Sequence, residues 1–313
     1  MGKYIFGIDI GGTTIKCGFF TKDGELIEKW EIVTRREEKG AHILSDVAAA
    51  ILEKCAERGI QKEEVCGIGL GIPGPVRADG TVLKCANLGW DITPAAKIMQ
   101  EMTGIPVKAG NDANVAALGE MWKGGGRGYE DVIMVTLGTG VGGGVILNGR
   151  MVAGSNGAGG EIGHMIVNSG EEDVCGCGGH GHLEQYASAT GIVRMAKKKL
   201  ANDDAPTKLR EYGELSAKII FDCAKEGDVV ALELVDELGR YLALALSHVA
   251  ATVDPQVFVI GGGVSRAGEI LIDAVRRHYN ENILFALQGK GFCLAELGND
   301  AGIYGSAWLA AGI

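Results

Sequence analysis

Short apolar runs that stop at glycine recur along the 313-residue chain. Their spacing predicts strands and helices in alternation. Tyr4–Asp9 reads as an apolar strand ending on a carboxylate, followed by G-G-T-T and a second strand, Ile15–Phe20. K-D-G-E at Lys22–Glu25 predicts a hairpin into a third strand at about Leu26–Val33. Apolar positions at Ile43, Leu44, Val47, Ile51 and Leu52 give Ala41–Arg58 a helical period. Val65–Ile72 reads as a buried strand halted by P-G-P, Pro94–Met102 as a helix with proline in its first turn, and Val107–Ala109 as a short strand. A helix at about Ala113–Lys123 follows.

The pattern then restarts. Asp131–Leu137, a glycine loop, Gly143–Leu147, the turn N-G-R and Met151–Ala153 repeat the opening order of strand, glycine turn, strand, hairpin, strand. This predicts a duplicated α/β chain of two similar domains. Further helices are expected at about Thr190–Ala201, Glu214–Glu226, Asp228–Thr252 and Ser265–Tyr279, with strands at Gln256–Ile260 and Phe292–Glu296. The last helix, Ala301–Ala311, is expected to return to the first domain. That gives residues 1–112 with 300–313 as a small domain and 113–299 as a large one.

Composition narrows the class. Hydrophobic residues make up 46% of the chain, which excludes a disordered polymer. The net charge of −10 and the lack of a lysine/arginine block argue against a nucleic-acid partner and point to a cytoplasmic enzyme. No signal peptide is expected ahead of Tyr4. The longest apolar run, Val229–Val253, contains Glu233, Asp236, Glu237 and Arg240, so it reads as a buried helix and not as a membrane span. Of eight cysteines only Cys175 and Cys177 lie close together, a spacing better suited to metal or redox chemistry than to a disulfide.

Five segments carry candidate chemistry. Asp9-Ile10-Gly11-Gly12-Thr13-Thr14 sets a carboxylate beside a turn rich in backbone N–H groups; such a turn can hold phosphate oxygens while Asp9 orients a hydrated Mg2+, or it is an ordinary hairpin. Gly138-Thr139-Gly140-Val141-Gly142 is a second such loop after a matching strand, and the absence of a following helix disfavours a dinucleotide fold. Gly261-Gly262-Gly263 is a third glycine turn, suited to close approach of an adenine or ribose, or merely a strand-to-helix turn. Asp112, after Asn111, reads either as a helix N-cap or as a general base for a hydroxyl attacking phosphorus. His164, Cys175, Cys177 and His182 offer nitrogen and sulfur ligands for a closed, structural zinc site, with His180 as an alternative fourth ligand and a buried or redox cysteine pair as the competing reading. Glu161 and Glu184 flank that segment; with Asn87, Asn111 and Asp112 they could ring a polyhydroxylated ligand.

At these residues the chain resembles the ROK family of sugar kinases, within it the bacterial ATP-dependent glucokinases. The likeness runs from Tyr4 to about Ala311. It rests on D-I-G-G-T-T-I-K at Asp9–Lys16, G-I-P-G-P-V at Gly71–Val76, G-N-D-A-N at Gly110–Asn114, L-G-T-G-V-G-G-G at Leu137–Gly144, G-G-E-I-G-H-M at Gly159–Met165, the cysteine segment and I-G-G-G-V at Ile260–Val264. The resemblance implies an actin/hexokinase-like (ribonuclease H-like) two-domain fold with an interdomain cleft. It implies Asp112 as catalytic base; Asn87, Asn111, Glu161, His164 and Glu184 as sugar ligands; and Asp9, Gly11–Thr14, Lys16, Gly138–Gly142 and Gly261–Gly263 around ATP and Mg2+. It implies zinc on His164, Cys175 and Cys177, with His182 where the family usually has a third cysteine. A homodimer is expected on the same ground.

The expected reaction is phosphorylation of glucose at its 6-hydroxyl by ATP. Alternatives within the class are another sugar, such as N-acetylmannosamine, fructose or allose, and polyphosphate as donor. A sugar-sensing repressor would require a helix-turn-helix ahead of the first strand, where only Met1–Lys3 stand. A cytoskeletal filament of the same superfamily would not need the sugar-binding constellation.

Overall fold

The computed structural model describes residues 2–312. Strands β1 (Tyr4–Ile10), β2 (Thr14–Thr21), β3 (Leu26–Val33), β4 (Val65–Ile72) and β5 (Val107–Asn111) form a sheet in the order β3-β2-β1-β4-β5. The β1–β2 and β2–β3 pairs are antiparallel, and β4 runs parallel to β1 and β5. β1 and β4 are apolar nearly throughout because helices cover both faces of the sheet there. Edge strand β3 alternates instead, with Lys29, Glu31 and Val33 exposed.

On one face lies helix α1 (Ile43–Arg58), whose Ile43, Leu44, Val47 and Ile51 join Phe6, Ile8, Phe19 and Leu70 in the main core. It ends on Gly59 in the left-handed conformation. Helices α2 (Ala95–Thr103) and α3 (Asp112–Lys123) follow β4 and β5. Pro94 stands just outside α2 as its N-cap residue. On the opposite face the last helix in the chain, α8 (Ala301–Ala311), packs Ile303, Ala307 and Ala310 on Ile5 and Phe20. It lies unusually close to α3: a Cβ added to Gly305 would stand 1.7 Å from the Val115 carbonyl oxygen. Only glycine allows that approach, and Ser306 Oγ adds a buried bond to the Ile8 carbonyl at 2.8 Å.

Strands β6 (Val132–Leu137), β7 (Val141–Leu147), β8 (Arg150–Met151), β9 (Val257–Gly261) and β10 (Gly291–Leu294) form the second sheet, β10-β9-β6-β7-β8. The order is that of the first sheet, so the duplication read from the sequence is present in the fold. The β7–β8 hairpin turns on Asn148 and Gly149, both at positive φ, the demand of a type I′ turn. Helices α4 (Ala189–Asn202), α5 (Ala217–Lys225) and α6 (Val229–Val253) begin on Ser188, Ser216 and Asp228, each side chain accepting a backbone N–H of the first turn. The cap on Ser216 starts α5 three residues later than its apolar pattern suggests. α7 (Glu269–Asn282) also starts late, because Val264–Ala267 forms a single 3-10 turn and Gly268 at φ 78° separates it from the helix. No helix among the described residues is long and apolar enough to cross a membrane.

The chain forms two compact units. The first holds the residues up to Glu130, Gly144–Gly160 and those from Glu296 onward; the second holds Asp131–Gly143 and Glu161–Ala295. The first unit is thus larger than the division at residues 112 and 300 drawn from the sequence. Packing of α3 on α8 keeps α3 with the first sheet. The buried Glu120 carboxylate, accepting the Glu296 and Leu297 amides at 3.0 and 2.9 Å, draws in the segment ahead of α8.

Candidate active site and metal-binding loop

In the first unit, β5 ends on Asn111 and α3 begins on Asp112. The N-cap of α3 is Asn111: its backbone is extended and its Oδ1 accepts the Asn114 amide at 3.1 Å. Asp112, one residue on, is therefore not the cap. Its half-buried carboxylate accepts Asn111 Nδ2 at 3.0 Å and the Ala113 amide at 2.8 Å through Oδ1. The two N–H donors hold the carboxylate in place at the start of the helix. Asn111 Nδ2 also donates to the Gly74 carbonyl at 3.1 Å, in the P-G-P turn after β4.

Two further groups of this unit feel the Asp112 charge. Burial pushes Asp9, at the end of β1, up to about 6, with Lys16 pulling it down and Asp112 pushing it up. The helix lying over it is α8: a Cβ on Gly302 would fall 2.5 Å from Asp9 Cγ. Burial also raises the Cys85 thiol, and Asp112 adds to the shift. Cys85 opens the turn closed by its amide on the Trp90 carbonyl at 2.9 Å, and Asn87 is exposed within that turn. The Gly11–Thr14 turn closes through the Gly11 amide on the Thr14 carbonyl at 3.1 Å. Thr34, a residue with no motif to mark it, braces the turn from β3's end: its Oγ1 donates to the Gly11 carbonyl at 2.7 Å and its amide to the Thr13 carbonyl at 3.0 Å. Gly12 has open space on its side-chain face and Thr13 is exposed, so this turn presents its backbone outward. Lys16, opposite Asp9 in the β1–β2 register, donates to the Asn299 carbonyl at 2.9 Å.

In the second unit, the Gly138–Gly142 loop is tied to the start of α4. The Ala189 amide donates to the Gly138 carbonyl at 2.8 Å, and Thr190 Oγ1 to the Thr139 carbonyl at 2.7 Å. Gly262, at φ 84°, lies so near Leu137 that a Cβ would come 2.5 Å from the Leu137 carbonyl oxygen, which places Gly261–Gly263 beside the root of the glycine loop. Next to Gly263 opens a cavity of about 250 Å³ lined by Lys218, Phe221, Lys225, Val264 and Arg266. The sequence offered no signal for the α5 residues of this lining; they are single positions on an amphipathic helix.

The metal-ligand candidates come together. One ligand atom from each of His164, Cys175, Cys177 and His182 lies within 4.8 Å of the others. Cys175 Sγ and Cys177 Sγ are 3.5 Å apart, and Cys177 Sγ is 3.2 Å from His182 Nδ1. A zinc tetrahedron with Zn–S of about 2.3 Å has S···S edges of about 3.8 Å, so the four groups fit such an ion with small adjustments. His180 instead bridges to Val174 and stands outside the group. Glu184 Oε1 accepts the buried Cys175 thiol at 2.8 Å and lies 4.0 Å from His164 Nδ1, while Glu161 Oε2 lies 4.0 Å from His164 Nε2. The imidazole of His164 thus stands between two carboxylates.

A brace that no motif signalled holds this loop. The Gln185 amide links its two ends, donating to the Asp173 carbonyl at 2.8 Å and accepting the His182 amide at 3.0 Å. Arg194 of α4 grips Asp173, Glu171 and the Gln185 carbonyl. The Arg194 guanidinium is the largest cause holding the Glu171 carboxyl far below the usual carboxylate range, with Tyr186 and Lys198 adding to it.

Two similar α/β sheets, a glycine turn after the first strand of each, and a carboxylate at a helix start define an actin/hexokinase-like fold equipped for phosphoryl transfer. Residues 5–313 match the model of the ROK family, and the chain belongs to that family. It is 42% identical to a glucokinase of Halalkalibacterium halodurans over 98% of this chain and 94% of that protein. It is 36% identical to a glucokinase of Thermotoga maritima over 97% and 96%. Among solved structures it is similar to a ROK family glucokinase from Streptomyces griseus in complex with glucose and AMPPNP. That likeness has a TM-score of 0.74 and 34% identity, and covers 99% of this chain and 100% of that one.

Proposed function

We propose that the protein is an ATP-dependent glucokinase that converts glucose and ATP to glucose 6-phosphate and ADP. The observation that carries the reading is the Asn111–Asp112 arrangement: a half-buried carboxylate held by two N–H donors at the start of α3, in a chain that has glucokinases among its relatives. Asp112 takes the proton of the sugar's 6-hydroxyl as that oxygen bonds to the γ-phosphorus, and the bond from phosphorus to the bridging oxygen of ADP breaks. Asn87, Asn111, Glu161, His164 and Glu184 bind the sugar's other hydroxyls. The Gly11–Thr14 and Gly138–Gly142 turns offer backbone N–H groups to the phosphates, and the Gly261–Gly263 turn with its neighbouring cavity takes the adenosine.

Asp9 would hold hydrated Mg2+, which supplies charge neutralisation at the phosphates. His164, Cys175, Cys177 and His182 would hold a structural Zn2+ that fixes the loop bearing Glu161 and Glu184. The protein acts in the cytoplasm. The test is Asp112→Asn. Turnover is expected to fall by about 10²-fold or more while glucose binding, measured by calorimetry, persists. Near-normal turnover would remove Asp112 from its role.

A further inference from the structure

Asn114 is buried to 3% exposure, two residues beyond Asp112 on α3, and its side chain reaches three separate stretches of the first unit. Its Nδ2 donates to Asn111 Oδ1 at 3.3 Å and to the Gly159 carbonyl at 2.9 Å, and its Oδ1 lies 3.4 Å from the Val145 amide. The backbone amide of Asn114 also donates to Asn111 Oδ1 at 3.1 Å. Asn111 Oδ1 therefore faces two N–H donors from one residue. That fixes which end of the Asn111 amide points where: the carbonyl toward Asn114, the NH2 toward Asp112 and Gly74. An Asn111 amide turned the other way would set its carbonyl oxygen against the Asp112 carboxylate.

The bonds to Val145 and Gly159 carry a second consequence. The chain passes between its two units at Gly143–Gly144 and again at Gly160–Glu161. Asn114 thus holds the first-unit end of both passages, one leading back to the glycine loop and one leading on to Glu161. A second anchor on the same helix is Glu120, fully buried, whose carboxylate accepts the amides of Gly125, Glu296 and Leu297. Glu120 lies about two helical turns from Asp112 along α3.

We infer that Asn114 is a positioning residue for the reaction: it locks Asn111 in the orientation that presents an N–H to the base Asp112. The inference rests on the glucokinase reading and deepens it. Among the groups that face Asp112 from neighbouring elements are Asp9 of β1, with Lys16 opposite it on β2, and Cys85 of the turn before α2. None of these changes in the variants below.

The experiment compares wild type with Asn114→Ala, Asn114→Asp and Glu120→Gln in steady-state glucose phosphorylation from about pH 5 to about 9, beside thermal unfolding. Asn114→Ala removes both Nδ2 donors; Asn114→Asp keeps the acceptor for Val145 and sets a carboxylate against Asn111 Oδ1, favouring the turned amide. Both are expected to lose about tenfold in turnover with KM for ATP unchanged. Their acid limb of turnover is expected to move to higher pH, further in Asn114→Asp, because the charged base has lost a donor. Glu120→Gln is expected to unfold at lower temperature with turnover within about twofold of wild type and an unmoved acid limb. Folded Asn114 variants with wild-type turnover and an unmoved limb would overturn the inference, and so would failure of both to fold, which would make Asn114 a structural anchor only. A wild type that phosphorylates no sugar would instead remove the glucokinase reading itself.

Discussion

Asp9 and Asp112 are two carboxylates of one unit in different surroundings. Asp112 stands at a helix start and accepts two N–H donors. Asp9 lies under α8, and burial raises it from 3.8 to about 6. Folded Asp9 therefore holds its proton at pH values where the unfolded chain has released it. Its effect on stability is most favourable below about pH 4 and is lost as pH rises through about 6, where the folded protein must ionise a buried group. Asp9→Asn removes that cost. Without Mg2+ the variant should melt above wild type at pH 8, by a margin that grows between about pH 4 and about pH 6 and then levels, while Mg-ATP turnover is lost. A margin that does not change with pH would contradict the burial argument. Asp9, the carboxylate proposed for Mg2+, is raised chiefly by burial, and that follows from the helix above it. Nothing in D-I-G-G-T-T announces it, since the helix arrives from the far end of the chain.

At the scale of elements, the candidate metal-binding loop and the glycine turns are small parts tied down by hydrogen bonds. The grouping of His164, Cys175, Cys177 and His182 was legible because sulfur and imidazole at short spacing through glycines have few other uses. The choice between His180 and His182 was not legible, since both stand on the same loop. The bridge of His180 to Val174 and of His182 to Ile166 turns them to different places. His182→Ala should reduce bound zinc from about one equivalent to well below half, whereas His180→Ala should leave it unchanged, both read by metal analysis of protein purified without chelator. Equal loss from both variants, or no zinc in wild type, would sink the Cys2His2 assignment. Helix starts show the same limit. Apolar periodicity located α5 and α7, but their first residues are set by Ser216 as a cap and by Gly268 as a break, details finer than a 3.6-residue pattern. The N-cap of α3 is a related case: Asn and Asp are equally good caps, and the chain uses Asn111 as the cap and leaves Asp112 its carboxylate for other work.

For the whole molecule, the repeated order of strand, glycine turn, strand and hairpin carried the fold, because each half must build the same five-stranded sheet to cover its own helices. The partition of the chain was less legible. The sequence suggested a cut at Asp112, where a strand gives way to a helix; instead α3 stays with the first sheet through glycine contacts to α8 and through the polar anchors Asn114 and Glu120. Those anchors bond to backbone groups far along the chain, a relation that no local pattern encodes. The same holds for Thr34, Gln185 and Arg194, which support the candidate site without belonging to any of its motifs. That these parts serve one reaction is tested most directly by ADP release followed across a panel of sugars — glucose, N-acetylmannosamine, fructose, allose — with ATP, and by glucose 6-phosphate formation with polyphosphate in its place. The highest kcat/KM is expected for glucose with ATP, with glucose 6-phosphate as the product. A higher kcat/KM for another sugar, or turnover supported by polyphosphate but not by ATP, would contradict that expectation.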